Sequence, residues 1–384
     1  ESVIITPYSD LDFLFWAISM RNKGEVSCEQ LIECLIERGV TVKSVHLQFA
    51  MKHRDADLLN KLIPMWDPKE DPSLLSNWYP IHEVSSWKGE LAGSEQAYQL
   101  IRNLMDKGFD INARTSFGEF PIDIALDPAG DMGMLLNLLK CGASLAVPDP
   151  IENRTLLMRG IADLESTVFD REFFSREEQL DMVKKLDVIF QHVPDTYPIN
   201  KQDVGGLTLL HHAVNLRDRS YRLNLTKKVL QLNPDLNIFC TIGYTPLMYV
   251  SREIHDLEIV TLLIRKGADM DMTNAMQCGK MAFDLALDAH DYKMALLLAN
   301  AGCDLTQGAN RMKQLGSMEP ERPFFRELKE YLAENMGRPR SLELMCRKRI
   351  TKILNSEEKK INALPLAELI KEFLLYEDLS YKVC

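Results

Sequence analysis

One unit recurs along this chain, and any fold must accommodate its spacing. The clearest copy reads Gly243-Tyr244-Thr245-Pro246-Leu247-Met248, then Ile259-Val260-Thr261-Leu262-Leu263, then Gly267-Ala268-Asp269. Thr245 can cap a short helix, and Pro246 fits that helix's first turn, where a missing N–H does least harm. The apolar residues 259–263 form the face of a second helix. Gly267 stops it by taking a left-handed conformation at no steric cost. Equivalent openings are Tyr79-Pro80-Ile81-His82, Phe120-Pro121-Ile122-Asp123, Thr155-Leu156-Leu157-Met158, Thr208-Leu209-Leu210-His211 and Met281-Ala282-Phe283-Asp284. The positions equivalent to Pro246 are 80, 121, 156, 209, 246 and 282, so the spacings are 41, 35, 53, 37 and 36 residues. Upstream, residues 11–20 with 31–38, and 45–52 with 56–63, make two less regular pairs ending at Gly39 and Pro64.

A turn and two helices in about 33 residues resembles the ankyrin repeat. The resemblance implies an all-α fold, an ankyrin-repeat solenoid of about eight helix pairs with β-hairpin turns. One repeat cannot bury its own apolar face, so stability comes from stacking. Residues 1–76 hold the diverged N-terminal pairs, 77–310 the ankyrin repeats with insertions, and 311–337 a capping helix and connector. The 53-residue spacing implies about 20 extra residues, placed within 162–175, an acidic stretch with Phe169, Phe173 and Phe174. The 41-residue spacing implies a smaller insertion at 85–90, around Trp87. Insertions in repeat arrays map to loops, often on the binding face, and aromatics are favoured interface anchors. Trp87, Phe169, Phe173 and Phe174 are therefore candidate target contacts. The alternative for the three phenylalanines is that they fold back on their own repeat.

Near the C-terminus runs Pro339-Arg340-Ser341-Leu342-Glu343-Leu344-Met345-Cys346-Arg347-Lys348-Arg349-Ile350. Leu342, Cys346 and Ile350, spaced i, i+4, i+8, make one apolar stripe on a helix, widened by Leu344, Met345, Ile353 and Leu354. Arg347, Lys348, Arg349 and Lys352 are expected to face water. Next comes Ile361-Asn362-Ala363-Leu364-Pro365-Leu366-Ala367-Glu368-Leu369-Ile370-Lys371-Glu372-Phe373-Leu374, in which Pro365 fits the start of a second amphipathic helix. These residues resemble a SOCS box, over 338–379. Leu342, Met345, Cys346 and Ile350 match its elongin-binding half. Ile361, Leu364, Pro365, Leu366, Ile370 and Phe373 match its cullin-binding half, with Ala367 where the pattern usually has a second proline.

An ankyrin array followed by such a segment resembles the ankyrin-repeat-and-SOCS-box family. The resemblance implies a non-catalytic substrate receptor of a ubiquitin ligase. Its partners would be elongin C with elongin B, cullin-5 with its RING protein, and a target held by the ankyrin surface. The other reading is a plain ankyrin scaffold whose last helices cap the array.

The chemistry in the sequence agrees with a binding role. His82-Glu83 lacks the second histidine of a zinc-protease helix, no phosphate loop or GxSxG elbow is present, and no carboxylate pair stands out. His211-His212 falls where ankyrin repeats place a histidine that hydrogen-bonds the turn. Cys346 lies near Arg347 and Arg349, which could lower a thiol pKa, but its place on the apolar stripe favours a buried contact. No catalytic residue, metal ligand or cofactor is expected. The net charge of −11 speaks against general nucleic-acid binding, and no apolar run reaches the ~18 residues of a membrane span. The opening residues lack the basic start and long apolar core of a signal peptide. Eight dispersed cysteines without a CxxC pair suggest reduced thiols, hence a cytoplasmic or nuclear location.

Overall fold

The computed structural model describes residues 10–21, 27–69, 71, 78–166, 176–305, 324–335, 346–347, 349–351, 358–364, 366 and 368–376. They are helices joined by turns, and among them the sole β pairing is an isolated bridge between Asn274 and Lys280. The chain divides into two compact units, Glu1–Ile151 with Asp170–Asp195, and Glu152–Phe169 with Thr196–Cys384.

The first unit contains α1 (Asp10–Arg21), α2 (Ser27–Glu37), α3 (Ser44–Lys52), α4 (Ala56–Leu62), α5 (Pro80–Ser85), α6 (Glu95–Asp106), α7 (Pro121–Leu126) and α8 (Met132–Lys140). After α9 (Leu156–Ser166), which belongs to the second unit, it also contains α10 (Arg176–Gln191). Helices pair as α1 with α2, α3 with α4, α5 with α6 and α7 with α8. One row is α1, α3, α5, α7, each touching the next; the other is α4, α6, α8, α10. Leu58, Leu59, Val84, Leu100, Leu104, Leu135, Leu138 and Leu186 are fully buried between the rows. Full burial of one such side chain is worth about 1.5–3 kcal/mol. Polar side chains close the loops between helices. Asn137 on α8 donates Nδ2 to the Ala92 and Ser94 carbonyls at 3.0 and 3.2 Å. Lys185 on α10, its side chain fully buried, donates Nζ to the carbonyls of Asp127 and Gly130 at 2.8 and 2.9 Å. These carbonyls would otherwise be desolvated without partners.

The second unit continues the arrangement with α11 (Leu209–Asn215), α12 (Arg219–Gln231), α13 (Pro246–Tyr249), α14 (Leu257–Arg265), α15 (Ala282–Asp288) and α16 (Tyr292–Ala301). Here α9, α11, α13 and α15 form one row and α12, α14 and α16 the other. A single π turn, Val250–Ile254, prolongs α13. Arg222 on α12 is buried and donates to Asp256 Oδ2 at 2.7 Å and to the Leu216 carbonyl at 2.7 Å. The next helix, α17 (Phe325–Asn335), lies on α16. It buries Phe325, Leu328 and Leu332, sets Phe325 edge-on to Tyr292 at 5.0 Å, and donates Tyr331 Oη to the Ala299 carbonyl at 3.1 Å.

The β-hairpins expected between repeats are reduced to tight turns. Each is closed by a backbone bond between its ends, Thr115 N to Glu119 O at 3.0 Å, Asp203 N to Leu207 O at 3.0 Å, Cys240 N to Tyr244 O at 2.9 Å, and Asn274 N to Lys280 O at 2.9 Å, and by a second inside the turn, from Gly118, Gly206, Gly243 or Gly279 N back to the first residue's carbonyl. The next helix starts two residues later, at Pro121, Leu209, Pro246 and Ala282, which leaves no length for a ladder. Side-chain oxygens tie consecutive repeats at the base of these turns. Asn112 Oδ1 accepts from Ser144 N, Asn200 Oδ1 from Asp235 N, Asn237 Oδ1 from Asp269 N, and Asp271 Oδ1 from Asp304 N, each at 2.8 Å.

Candidate interaction surfaces

Several of the helices that follow turns are anchored by their third residue, and in α11 this anchor is a histidine. His211 Nδ1 accepts from Thr208 N at 3.1 Å and meets Thr208 Oγ1 at 2.9 Å. The other ring nitrogen, Nε2, therefore donates to the Tyr244 carbonyl of the next turn at 3.1 Å. Burial pushes the His211 pKa down to about 4. This is the turn-bonding role expected of the His211-His212 pair. Asp123 and Asp284 hold the same position and accept from Phe120 N and Met281 N. His82 reaches across likewise, its Nε2 to the Glu119 carbonyl at 3.0 Å. His212 bonds Asp203 Oδ2 at 2.9 Å, and Asp203 also accepts from Leu207 N and Arg154 Nε. Burial would raise the Asp203 carboxyl, but these bonds outweigh it and hold the pKa down at about 2. Both histidines are committed to structure, and the described residues hold no group of three or more His, Cys, Asp or Glu arranged to bind a metal.

The turn tips present apolar side chains to solvent. In the second unit Val204 is 68% exposed, Ile242 51% and Met276 73%, one in each of three successive turns. Adjacent tips touch directly. Thr241 N and Oγ1 both donate to the Gly205 carbonyl, at 3.0 and 2.8 Å, and Asn274 Nδ2 donates to the Ile242 carbonyl at 3.1 Å. Gly206, at φ +71°, allows this approach, since a Cβ there would lie 2.7 Å from Thr241 N. The first unit has a counterpart in Phe117, 80% exposed at the tip of the turn closed by Thr115 and Glu119. The sequence reading passed over these residues. Their signal is an apolar residue just before a turn glycine, as in Phe117-Gly118, Val204-Gly205 and Ile242-Gly243.

The second candidate surface is C-terminal. Residues 346, 347 and 349–351 are helical, followed by α18 (Glu358–Asn362) and α19 (Glu368–Leu374), which pack on each other. Ile361, Leu374 and Tyr376 are buried, with Thr351 beside them in burial. Arg347 is 1% exposed, its guanidinium 3.5 Å from the Phe373 ring centroid and 4.4 Å from that of Tyr376. Its expected exposure to water is therefore wrong. Cys346 instead is exposed, against the expectation of a buried contact, and Arg349 is exposed as expected. Neighbours on a helix lie about 100° apart, so the aromatics that cover Arg347 leave Cys346 outside.

The remaining candidates fall out as follows. Ile350 and Leu364 are half-buried, Phe373 is half-buried against Arg347, and Leu366 and Ile370 are exposed. Ile361, at 1% exposure, is an internal packing residue and not an open contact. Trp87 is corrected in the same way. It is 2% exposed, at the start of a loop whose turns are closed by Trp87 N to the Val84 carbonyl and Ala92 N to that of Gly89. Leu342, Met345, Pro365, Phe169, Phe173 and Phe174 lie outside the described residues.

The ankyrin repeat family profile matches residues 242–275, the stretch holding the Ile242 tip, α13, the π turn, α14 and the Asp269 tie. Among solved structures, the chain is similar to an ankyrin repeat domain from Acinetobacter baumannii, with 17% identity and a TM-score of 0.44 over 59% of this chain and 99% of that one. It is also similar to one chain in the structure of a predatory endopeptidase from Bdellovibrio bacteriovorus in complex with an immunity protein, at 20% identity and TM-score 0.39 over 55% and 95%. A third similarity is to another ankyrin repeat protein, at 19% identity and TM-score 0.40 over 52% and 90%. No curated protein matches the chain. The chain thus carries an ankyrin repeat at 242–275 within a helical scaffold.

Proposed function

We propose that the chain is the substrate-recognition subunit of an elongin B/C–cullin-5 RING ubiquitin ligase. Its C-terminal helices would bind elongin C and cullin-5, and its turn tips the target. The sequence resemblance over 338–379 suggests the partners. One structural observation supports the reading. The C-terminal helices pack on each other and bury Ile361, Leu374, Tyr376 and Arg347, yet leave Cys346, Leu366 and Ile370 exposed. A segment that served only to close the array would turn those apolar groups inward. The array has a cover besides, since α17 buries three large side chains on α16. The receptor carries out no chemistry; it raises the local concentration of target lysines near the charged carrier enzyme.

Co-expression with elongin B and elongin C, followed by size-exclusion chromatography with mass measurement, tests the reading. A one-to-one-to-one complex is expected. Leu342→Ala with Cys346→Ala should weaken it at least about tenfold, the factor attached to ~1.4 kcal/mol. A well-folded array that captures no elongin would leave a plain ankyrin scaffold. Changing Leu364, Pro365 and Leu366 together should spare elongin and lose cullin-5.

A further inference from the structure

We infer that Arg347 is a positioning residue that sets the elongin-facing helix against the cullin-facing one, by holding its guanidinium on the Phe373 and Tyr376 rings. The inference rests on the receptor reading above and concerns how its two faces are held in register.

Three observations carry it. First, Arg347 is among the largest fully buried side chains of the protein, in the same short helix that exposes Cys346 and Arg349. Burying a guanidinium is costly unless something replaces its water. Second, what lies over it is aromatic: the two ring centroids sit 3.5 and 4.4 Å away, both within cation–π reach. Guanidinium is planar and weakly hydrated, so it suits this place better than a lysine ammonium. Third, Tyr376 holds a left-handed backbone, φ +57°, just past the end of α19, where its N–H bonds the Phe373 carbonyl at 3.2 Å. A bulky residue adopts that conformation only where its surroundings enforce it. Here it carries the tyrosine ring onto Arg347.

The consequence concerns binding more than folding. Phe373 and Tyr376 lie 26 and 29 residues beyond Arg347, in the half that resembles a cullin contact. Cys346 and Ile350 flank Arg347 in the half that resembles an elongin contact. The stacked cation is thus a direct link between the two faces, and an elongin-binding change can be made at a residue of the other half.

The test uses the full chain. Elongin B/C affinity would be measured for wild type, Arg347→Met, Arg347→Lys, Tyr376→Asn and the double variant Arg347→Met/Tyr376→Asn. Asparagine tolerates the left-handed backbone, so Tyr376→Asn removes the ring without adding strain. Each single change should weaken elongin about tenfold, Lys should not rescue, and the double variant should be no worse than either single one, the mark of one shared interaction. A normal circular dichroism spectrum for the array separates this from global unfolding. Wild-type binding with unchanged affinity in Tyr376→Asn, or additive losses in the double variant, would overturn the positioning role while leaving the receptor reading standing. If wild type itself does not bind elongin, the receptor reading fails. The link is then read by limited proteolysis across 346–376, where equal cleavage rates in wild type and Arg347→Met overturn it.

Discussion

Nδ1 of His211 accepts a hydrogen from Thr208 N, so a proton placed there would set two donors against each other inside the protein. Burial accordingly holds the folded pKa at about 4, below the ordinary histidine value near 6.5. Between those values the unfolded chain binds a proton that the folded one refuses. This contribution is complete above about pH 6.5 and is lost as pH falls toward 4, to the extent of about 3 kcal/mol. Urea midpoints at pH 7.5, 5.5 and 4.5 check it: the fall in wild type should exceed that in His211→Gln. Glycines sort by a similar local test. Gly206→Ala places a Cβ against the Thr241 backbone at φ +71° and should cost about 2–3 kcal/mol. Gly142→Ala, at φ +89° with open space around it, should cost about 1 kcal/mol. Equilibrium denaturation of both variants would show the order. The role of His211 was legible because it falls at the place in the repeat where an ankyrin-like histidine bonds the turn. That of Arg347 was not, since it stands among Lys348, Arg349 and Lys352 and looks like one more solvated cation. The rings that bury it are remote in sequence, and helical periodicity carries no trace of them.

At the scale of elements, a row of short turns takes the place of hairpins, and its tips separate packing from display. Leu263 on α14 is fully buried, whereas Ile242 and Met276 face water. Leu263→Ala should therefore cost about 2–5 kcal/mol, while Ile242→Ser with Met276→Ser should stay within about 0.5 kcal/mol of wild type. Thermal melts suffice to compare them. The starts of helices α5, α7, α9, α11, α13 and α15 were legible to the residue or nearly so, because Thr, Pro and the apolar pair that follows fix where a helix begins. The insertions were legible only as lengths. The spacing of 41 residues revealed extra chain around Trp87, but a count says nothing of which side chains turn inward, and Trp87 does. Ile361 teaches the same point: one apolar stripe in sequence holds both buried and exposed residues, and only packing separates them.

For the whole molecule, the question is whether residues beyond α17 support the array or serve a partner. Phe325, Leu328 and Leu332 already cover α16. A chain ending after Asn335 should keep its helical circular dichroism and its urea midpoint within about 0.5 kcal/mol, and under the receptor reading proposed above it should capture no elongin. Collapse of α15 and α16 in that truncation, seen by hydrogen exchange, would favour the cap reading instead. The repeat was legible in the sequence because it is a pattern of spacing. The division into two compact units was not, because it depends on contacts that no period encodes.

The bond from Thr241 to the Gly205 carbonyl has an evolutionary consequence. Each tip is held by backbone and by a neighbouring hydroxyl or amide, and its outermost side chain bears no load. Positions 204, 242 and 276 can then drift by single substitutions with little harm to folding. A lineage carrying this scaffold could vary its tips while the backbone ties beneath them stay the same.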